Sequence, residues 1–230
     1  MLILKYLRLP FSFDVTALQE ETEQLAREHW QLHYQTKHYS GDWSAIPLRS
    51  VEGATDNIMV APQEDAVYKD TILLDQCPAL KNVLQQFHCP LLAVRLLKLS
   101  SGAEIKEHRD RELYYEKGEV RIHIPIVTHE DVEFYLDKER VQPKEGECWY
   151  MNFNLPHAII NNSPVDRIHL VIDAQVNDWV KEQFEQPGLF KKEIEYAEHD
   201  DETKKAIIAQ LRSMNTEVGN KLADEMEATL

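Results

Sequence analysis

Between residues 91 and 174 the chain strings together short apolar runs, with turn residues between them and no helical stretch to separate them. The runs occupy residues 91–99, 119–128, 132–136, 146–153, 157–161 and 167–174. Parallel strands need long crossover connections, usually helical, and the spacing leaves no room for them. Strands this close must pair antiparallel and close into a barrel or sandwich. Around this block the signals change. Residues 1–9 read as a strand. Asp14 can cap a helix reaching to about Trp30, with acids in its first turn. Residues 42–51 read as an edge strand and 78–87 as a short helix. Beyond Asn177 the signals are helical: Asp200, Asp201 and Glu202 open a helix over 203–214, and another runs from about Thr216. The expected organisation is a barrel domain over 1–176, with an N-terminal strand and helices, and a helical extension over 177–230 packed on or beside it.

At 230 residues and 43% hydrophobic the chain can build a full core. Its net charge of −15 excludes a general nucleic-acid binder, which needs a basic face. It also argues against an anionic membrane surface. It leaves room for a small anion held by a few buried arginines. The three cysteines, Cys77, Cys89 and Cys148, are odd in number and widely spaced, which suits a reducing compartment and offers no zinc cage. The apolar start is broken by Lys5, Arg8 and Pro10, too soon for a membrane span or a signal peptide. A cytoplasmic location is expected.

Two runs alternate in an unusual way. In Arg121-Ile122-His123-Ile124 and Arg167-Ile168-His169-Leu170, the polar residues share one face and the aliphatic ones the other. A solvated face ordinarily carries Lys, Glu and Thr. Two arginines and two histidines turned into a barrel lumen would instead suit a metal and an anion. His108 and Asp110 stand two apart, so extended backbone points both the same way. A third ligand from a distant strand would complete a 2-His-1-carboxylate facial triad, the set that holds Fe(II) and leaves positions open. His157, after Leu155-Pro156, is the natural third ligand, and His169 is its competitor. Such an iron needs an electron-supplying co-substrate. 2-Oxoglutarate would chelate it and offer a distant carboxylate, for which an arginine fork is the fitting partner. Arg167, ten residues after His157 and facing inward, is the candidate.

In combination, His108-x-Asp110, Arg121-x-His123-Ile-Pro, Gly146-Glu147-x-Trp149, Pro156-His157 and Arg167-Ile-His-Leu-Val-Ile-Asp173 resemble the aspartyl/asparaginyl β-hydroxylase family over about a third of the chain, residues 93–173. The resemblance implies a double-stranded β-helix (jelly-roll, cupin-like) barrel, mainly β with flanking helices. It implies His108 and His157 as iron ligands, Arg167 as the 2-oxoglutarate anchor, and Arg121 with His123 as further co-substrate contacts. Some members dispense with the carboxylate ligand. This chain keeps Asp110, and in that respect is similar to the bacterial members acting on free amino acids, such as the proline hydroxylases. Arg95 resembles an arginine of that branch. Tyr114 and Tyr115 could cover the barrel mouth or touch substrate, and His169 is expected to line the lumen. Trp149 and Cys148 read as core.

The expected function is hydroxylation of a C–H bond in a free amino acid or derivative, with Fe(II), 2-oxoglutarate and O2, and with neither nucleic acid nor membrane as partner. The alternatives are a β-hydroxylase of Asp or Asn residues in a peptide and a non-catalytic cupin-like protein holding a metal or small anion.

Overall fold

The computed structural model describes residues 1–60, 66–196 and 201–228. The chain enters through β1 (Leu2–Ser12) and α1 (Val15–Ala26). Asp14 caps α1 by accepting a hydrogen bond from the Thr16 amide at 3.0 Å. The helix stops at Ala26, earlier than expected, because the chain must turn to enter β2 (Gln31–Leu32). There follow β3 (Tyr39–Ser40), β4 (Trp43–Val51), β5 (Tyr68–Asp70) and α2 (Pro78–Leu84). Next come eight strands in succession: β6 (Leu91–Leu99), β7 (Glu104–His108), β8 (Glu119–Val127), β9 (Val132–Leu136), β10 (Glu139–Val141), β11 (Glu147–Met151), β12 (His157–Asn161) and β13 (Arg167–Gln175). After them lie α3 (Asp178–Phe184), β14 (Phe190–Glu195), α4 (Asp201–Ser213) and α5 (Glu217–Glu227).

The eight central strands are dealt between two sheets. From β1 the larger runs β1-β11-β8-β13-β6-β4-β2, and the smaller runs β10-β9-β12-β7-β3. Within the eight, β6, β13, β8 and β11 pair antiparallel in one sheet, and β7, β12, β9 and β10 in the other. This is the jelly-roll, double-stranded β-helix arrangement. The strands expected from periodicity are present with ends shifted by up to three residues, and β4, expected at an edge, is paired on both sides, with β6 and with β2 and β5. β7 and β10 were not foreseen.

The two faces of the larger sheet have different tasks. Outward, Ile122, Ile124 and Ile126 of β8 join Leu170 and Ile172 of β13 in one core with Leu18 and Leu25 of α1, Leu80 and Val83 of α2, and Val180 and Phe184 of α3. The main core therefore lies between sheet and helices. Cys148 and Tyr150 belong to it, and Trp149 is buried on the opposite face of β11. The inward face is left for polar side chains: Arg121 and His123 on β8, Arg167, His169 and Asp173 on β13, and Arg95 on β6.

The chain divides into two compact units. One spans Leu4–Glu193 and so contains the barrel, α1, α2 and α3. The other joins Met1–Ile3 to Ile194–Leu230. In this second unit Arg212 donates to Asp224 at 2.8 Å and to Glu227 at 2.6 Å, tying α4 to α5. Thr216 caps α5 through the Gly219 amide. Asp200, expected to open α4, lies outside the described residues. Among the described residues no helix is long and apolar enough to cross a membrane.

Candidate metal centre

His157 opens β12 directly opposite His108, the last residue of β7. A cross-strand pair brings side chains of one face within about 5 Å, and the two imidazole centroids stand 4.2 Å apart. Asp110 follows in the loop beyond β7. Its amide donates to the Phe153 carbonyl at 2.9 Å, and the Glu112 amide to Asn154 Oδ1 at 3.2 Å, so this loop is fastened to the turn that precedes His157. One ligand atom from each of His108, Asp110 and His157 lies within 4.8 Å of the others. His108 Nε2 and Asp110 Oδ1 are 3.9 Å apart.

The donor set suits a divalent metal in its protonation as well as its spacing. The Nδ1 atoms of His108 and His157 face the carbonyls of Lys106 at 2.8 Å and Leu155 at 3.0 Å. A carbonyl only accepts, so each Nδ1 carries the proton and each Nε2 the lone pair, the tautomer that metal ligation needs. Burial pushes His157 down to about 4, so it is neutral near pH 7. Burial works to raise the Asp110 carboxyl, but Arg121 and the two imidazoles outweigh it and hold it below its ordinary value.

These residues open onto a cavity of about 680 Å³ between the two sheets. At the candidate anion end, Arg167 is buried and its charge meets no carboxylate among the described residues. Its NH2 donates to His169 Nδ1 at 3.0 Å. Burial pushes this guanidinium down to about 9, far below an ordinary arginine, which expresses how strongly it lacks a counter-ion. His123 Nδ1 also meets His169 Nδ1, at 3.2 Å. Since that nitrogen of His169 already accepts from Arg167, His123 must donate to it. His123 Nε2 then presents a lone pair, buried and without a partner. Burial first, and then the positive charge of Arg167, keep both imidazoles neutral.

Arg121 differs from Arg167. Its Nε and NH2 donate to Asp173 and its NH1 to Asp110. Arg95 also lines the cavity and donates to Asp173 at 2.8 Å. Of the other expected contacts, His169 sits behind Arg167 and His123 without lining the cavity. Tyr114 does not line it either: its side chain is only 1% exposed. Tyr115 stacks on Phe184 of α3, with centroids 4.9 Å apart, away from the lumen.

Several lining residues escaped the sequence reading. His33 stacks on Trp43 and, with Tyr34, forms an aromatic wall. No spacing in the sequence signals it. Glu119 was within reach, because it extends the Arg121-x-His123 alternation on the inward face.

A jelly-roll barrel that brings a His-x-Asp pair and a distant histidine into one lumen with a buried arginine defines the class, a barrel with a candidate metal centre in its lumen. The chain belongs to the aspartyl/asparaginyl β-hydroxylase family, whose sequence profile matches residues 12–176. It is 27% identical over 167 residues to an L-proline cis-4-hydroxylase of Rhizobium meliloti (strain 1021). That match takes in 71% of this chain and 58% of the relative, so less than two thirds of the relative's length is spanned. Among solved structures, an oxidoreductase of the 2OG-Fe(II) oxygenase family from Burkholderia pseudomallei is similar at TM-score 0.48 and 13% identity, over 70% of this chain and 79% of that one. A Pseudomonas putida prolyl-4-hydroxylase is similar at TM-score 0.46 and 12% identity, over 76% of this chain and 94% of that one.

Proposed function

We propose that the protein is an Fe(II)- and 2-oxoglutarate-dependent dioxygenase that hydroxylates a C–H bond of a free amino acid or amino-acid derivative. The observation that carries this reading is Arg167, a buried guanidinium with no carboxylate partner among the described residues, sharing a lumen with the His108, Asp110 and His157 cluster. His108, Asp110 and His157 would hold the metal, and Arg167 the far carboxylate of 2-oxoglutarate through a two-pronged charge-assisted contact. The bound metal and co-substrate would supply the oxidising chemistry, coupling decarboxylation of 2-oxoglutarate to succinate with insertion of one oxygen atom of O2 into substrate.

The chain's own part is binding, orientation and exclusion of water. The two backbone carbonyls fix the imidazole tautomers. His123 Nε2 offers an acceptor to a donor group entering the cavity. Arg95 and Glu119 line the same space, a mixture of signs that favours a zwitterion such as an amino acid. The size of the cavity is in the range for small ligands. Substrate rather than nucleic acid or membrane is the partner proposed, and the net charge of −15 supports it.

The test is a screen of free amino acids and short peptides with Fe(II), 2-oxoglutarate and air, read by mass spectrometry and by succinate release. The expected result is a gain of one oxygen atom in a free amino acid, matched by succinate. Modification of peptides alone would move the assignment to residues within a chain. No product and no oxygen-dependent succinate, from a protein that binds metal, would overturn the enzymatic reading.

A further inference from the structure

Asp173 touches none of the three candidate ligands, yet it is fully buried on the lumen face of β13. Its Oδ1 accepts from Arg121 Nε at 2.6 Å. Its Oδ2 accepts from Arg121 NH2 at 3.0 Å and from Arg95 NH2 at 2.8 Å. The third nitrogen of Arg121, NH1, donates to Asp110 Oδ2 at 2.5 Å. The whole guanidinium is therefore committed. It leaves Asp110 with one held oxygen and one, Oδ1, directed to the side where His108 Nε2 lies.

We infer that Asp173 is a positioning residue for the metal centre: it fixes Arg121, and Arg121 fixes Asp110 so that a single carboxylate oxygen is presented to the metal. The inference rests on reading His108, Asp110 and His157 as metal ligands. The need for such a device follows from where Asp110 stands. The two histidines are carried by paired strands, whereas Asp110 lies in a loop. A carboxylate free to turn about its side-chain torsions would lose that freedom on binding, at a cost in affinity. Arg121 projects from β8, in the middle of the opposite sheet, and removes that freedom in advance.

Charge supplies the second half of the argument. Arg95 is buried and Arg121 mostly so, and Asp173 lies between them. Without its charge, the only other carboxylate paired with this arginine pair among the described residues is Asp110. Asp110 would be drawn wholly onto the guanidinium groups, and their unbalanced charge would oppose a cation nearby. Asp173→Asn therefore acts on the metal through two residues that stay in place.

Co(II) titration of the full-length protein tests this, followed by calorimetry and by the visible absorption of the bound ion. The absorption reports coordination number. Substitutions one step removed from a metal ligand weaken affinity by about 10- to 100-fold, and a loss in that range is expected for Asp173→Asn, with the spectrum shifted towards that of Asp110→Ala. In the Asp110→Ala background, Asp173→Asn should weaken Co(II) by less than it does in the parent, because only the unbalanced arginine charge is left to act. Arg121→Lys keeps the charge but cannot span both carboxylates. It should lose affinity too, and it decides the matter if Asp173→Asn does not fold. A merely structural Asp173 would lower the melting temperature and leave Co(II) affinity and spectrum unchanged, which would overturn the inference. So would additive losses in the double variant. A wild-type protein that failed to bind Co(II) would instead overturn the metal-centre reading itself.

Discussion

Arg121 and Arg167 look alike in the sequence, each opening an Arg-x-His run, and the difference between them is entirely one of surroundings. Alternation places both on the inward face. It does not show that Asp173 and Asp110 take up the first, while the second is left with only a neutral imidazole. That information lies in pairings between distant parts of the chain, Arg121 with Asp173 being 52 residues apart. His157 and His169, alike as candidates for the third ligand, differ in the same way. Only His157 stands across a ladder from His108. A prediction at this scale follows from the unpaired charge. Removing one partner of a buried ion pair costs about 3–5 kcal/mol, and about 1.4 kcal/mol is tenfold. Arg167→Ala should raise the apparent 2-oxoglutarate constant by roughly two to three decades. Arg167→Lys should recover part of the loss, because it keeps charge without the fork. Co-substrate titration of succinate formation checks both, and an unchanged constant in Arg167→Ala would locate the anchor elsewhere.

Among the elements, those with an apolar stripe were legible and those without one were not. β8 and β13 announce themselves through their isoleucines and leucines, which meet α1, α2 and α3. β7 carries the first histidine and yet passed unseen. In Glu104-Ile-Lys-Glu-His only Ile105 is buried, so no period stands out. Its strand form is imposed by β12 and β3 on either side. β1 shows a further device, a buried lysine. Lys5 pairs with Asp137 at 3.3 Å and with Glu139 at 3.0 Å, joining β1 to the β9–β10 turn. Burial would raise the Glu139 carboxyl, but hydrogen bonds from Lys192, Lys5 and Tyr6 outweigh it and hold it at about 2. A carboxyl with a depressed native value stabilises the fold above its unfolded value near 4.5, and that contribution is lost as pH falls towards about 2. Glu139→Gln should therefore be less stable than the parent at pH 7, by on the order of 1 kcal/mol. The gap between their melting temperatures should close on acidification from about pH 5 to pH 2. A gap independent of pH would show that the carboxylate charge is not what holds β1.

At the scale of the whole molecule, every member of the main hydrophobic core lies between Leu4 and Phe184. The unit Leu4–Glu193 thus contains that core whole among the described residues, as a domain able to fold alone would. A chain ending at Glu193 is expected to unfold cooperatively and to bind Co(II) with wild-type affinity, as followed by thermal melting and metal titration. Loss of cooperative unfolding would assign the last stretch of the chain a part in the barrel's stability. The mainly β class and the polar lumen were legible from alternation. The division at 193/194 was not, because α3 has the same helical signals as α4 and α5 but contributes Val180 and Phe184 to the barrel's own core. The two ligand types are also carried differently. The imidazoles face each other across a hydrogen-bonded ladder, and the carboxylate rides on the adjoining loop. Ladder spacing is common to every protein that keeps this barrel, whereas loops accept insertions and replacements readily. The acidic residue is thus the one that a change in loop length could shift or exchange, and with it the metals such a site would tolerate, while the spacing of His108 and His157 stays set by the ladder.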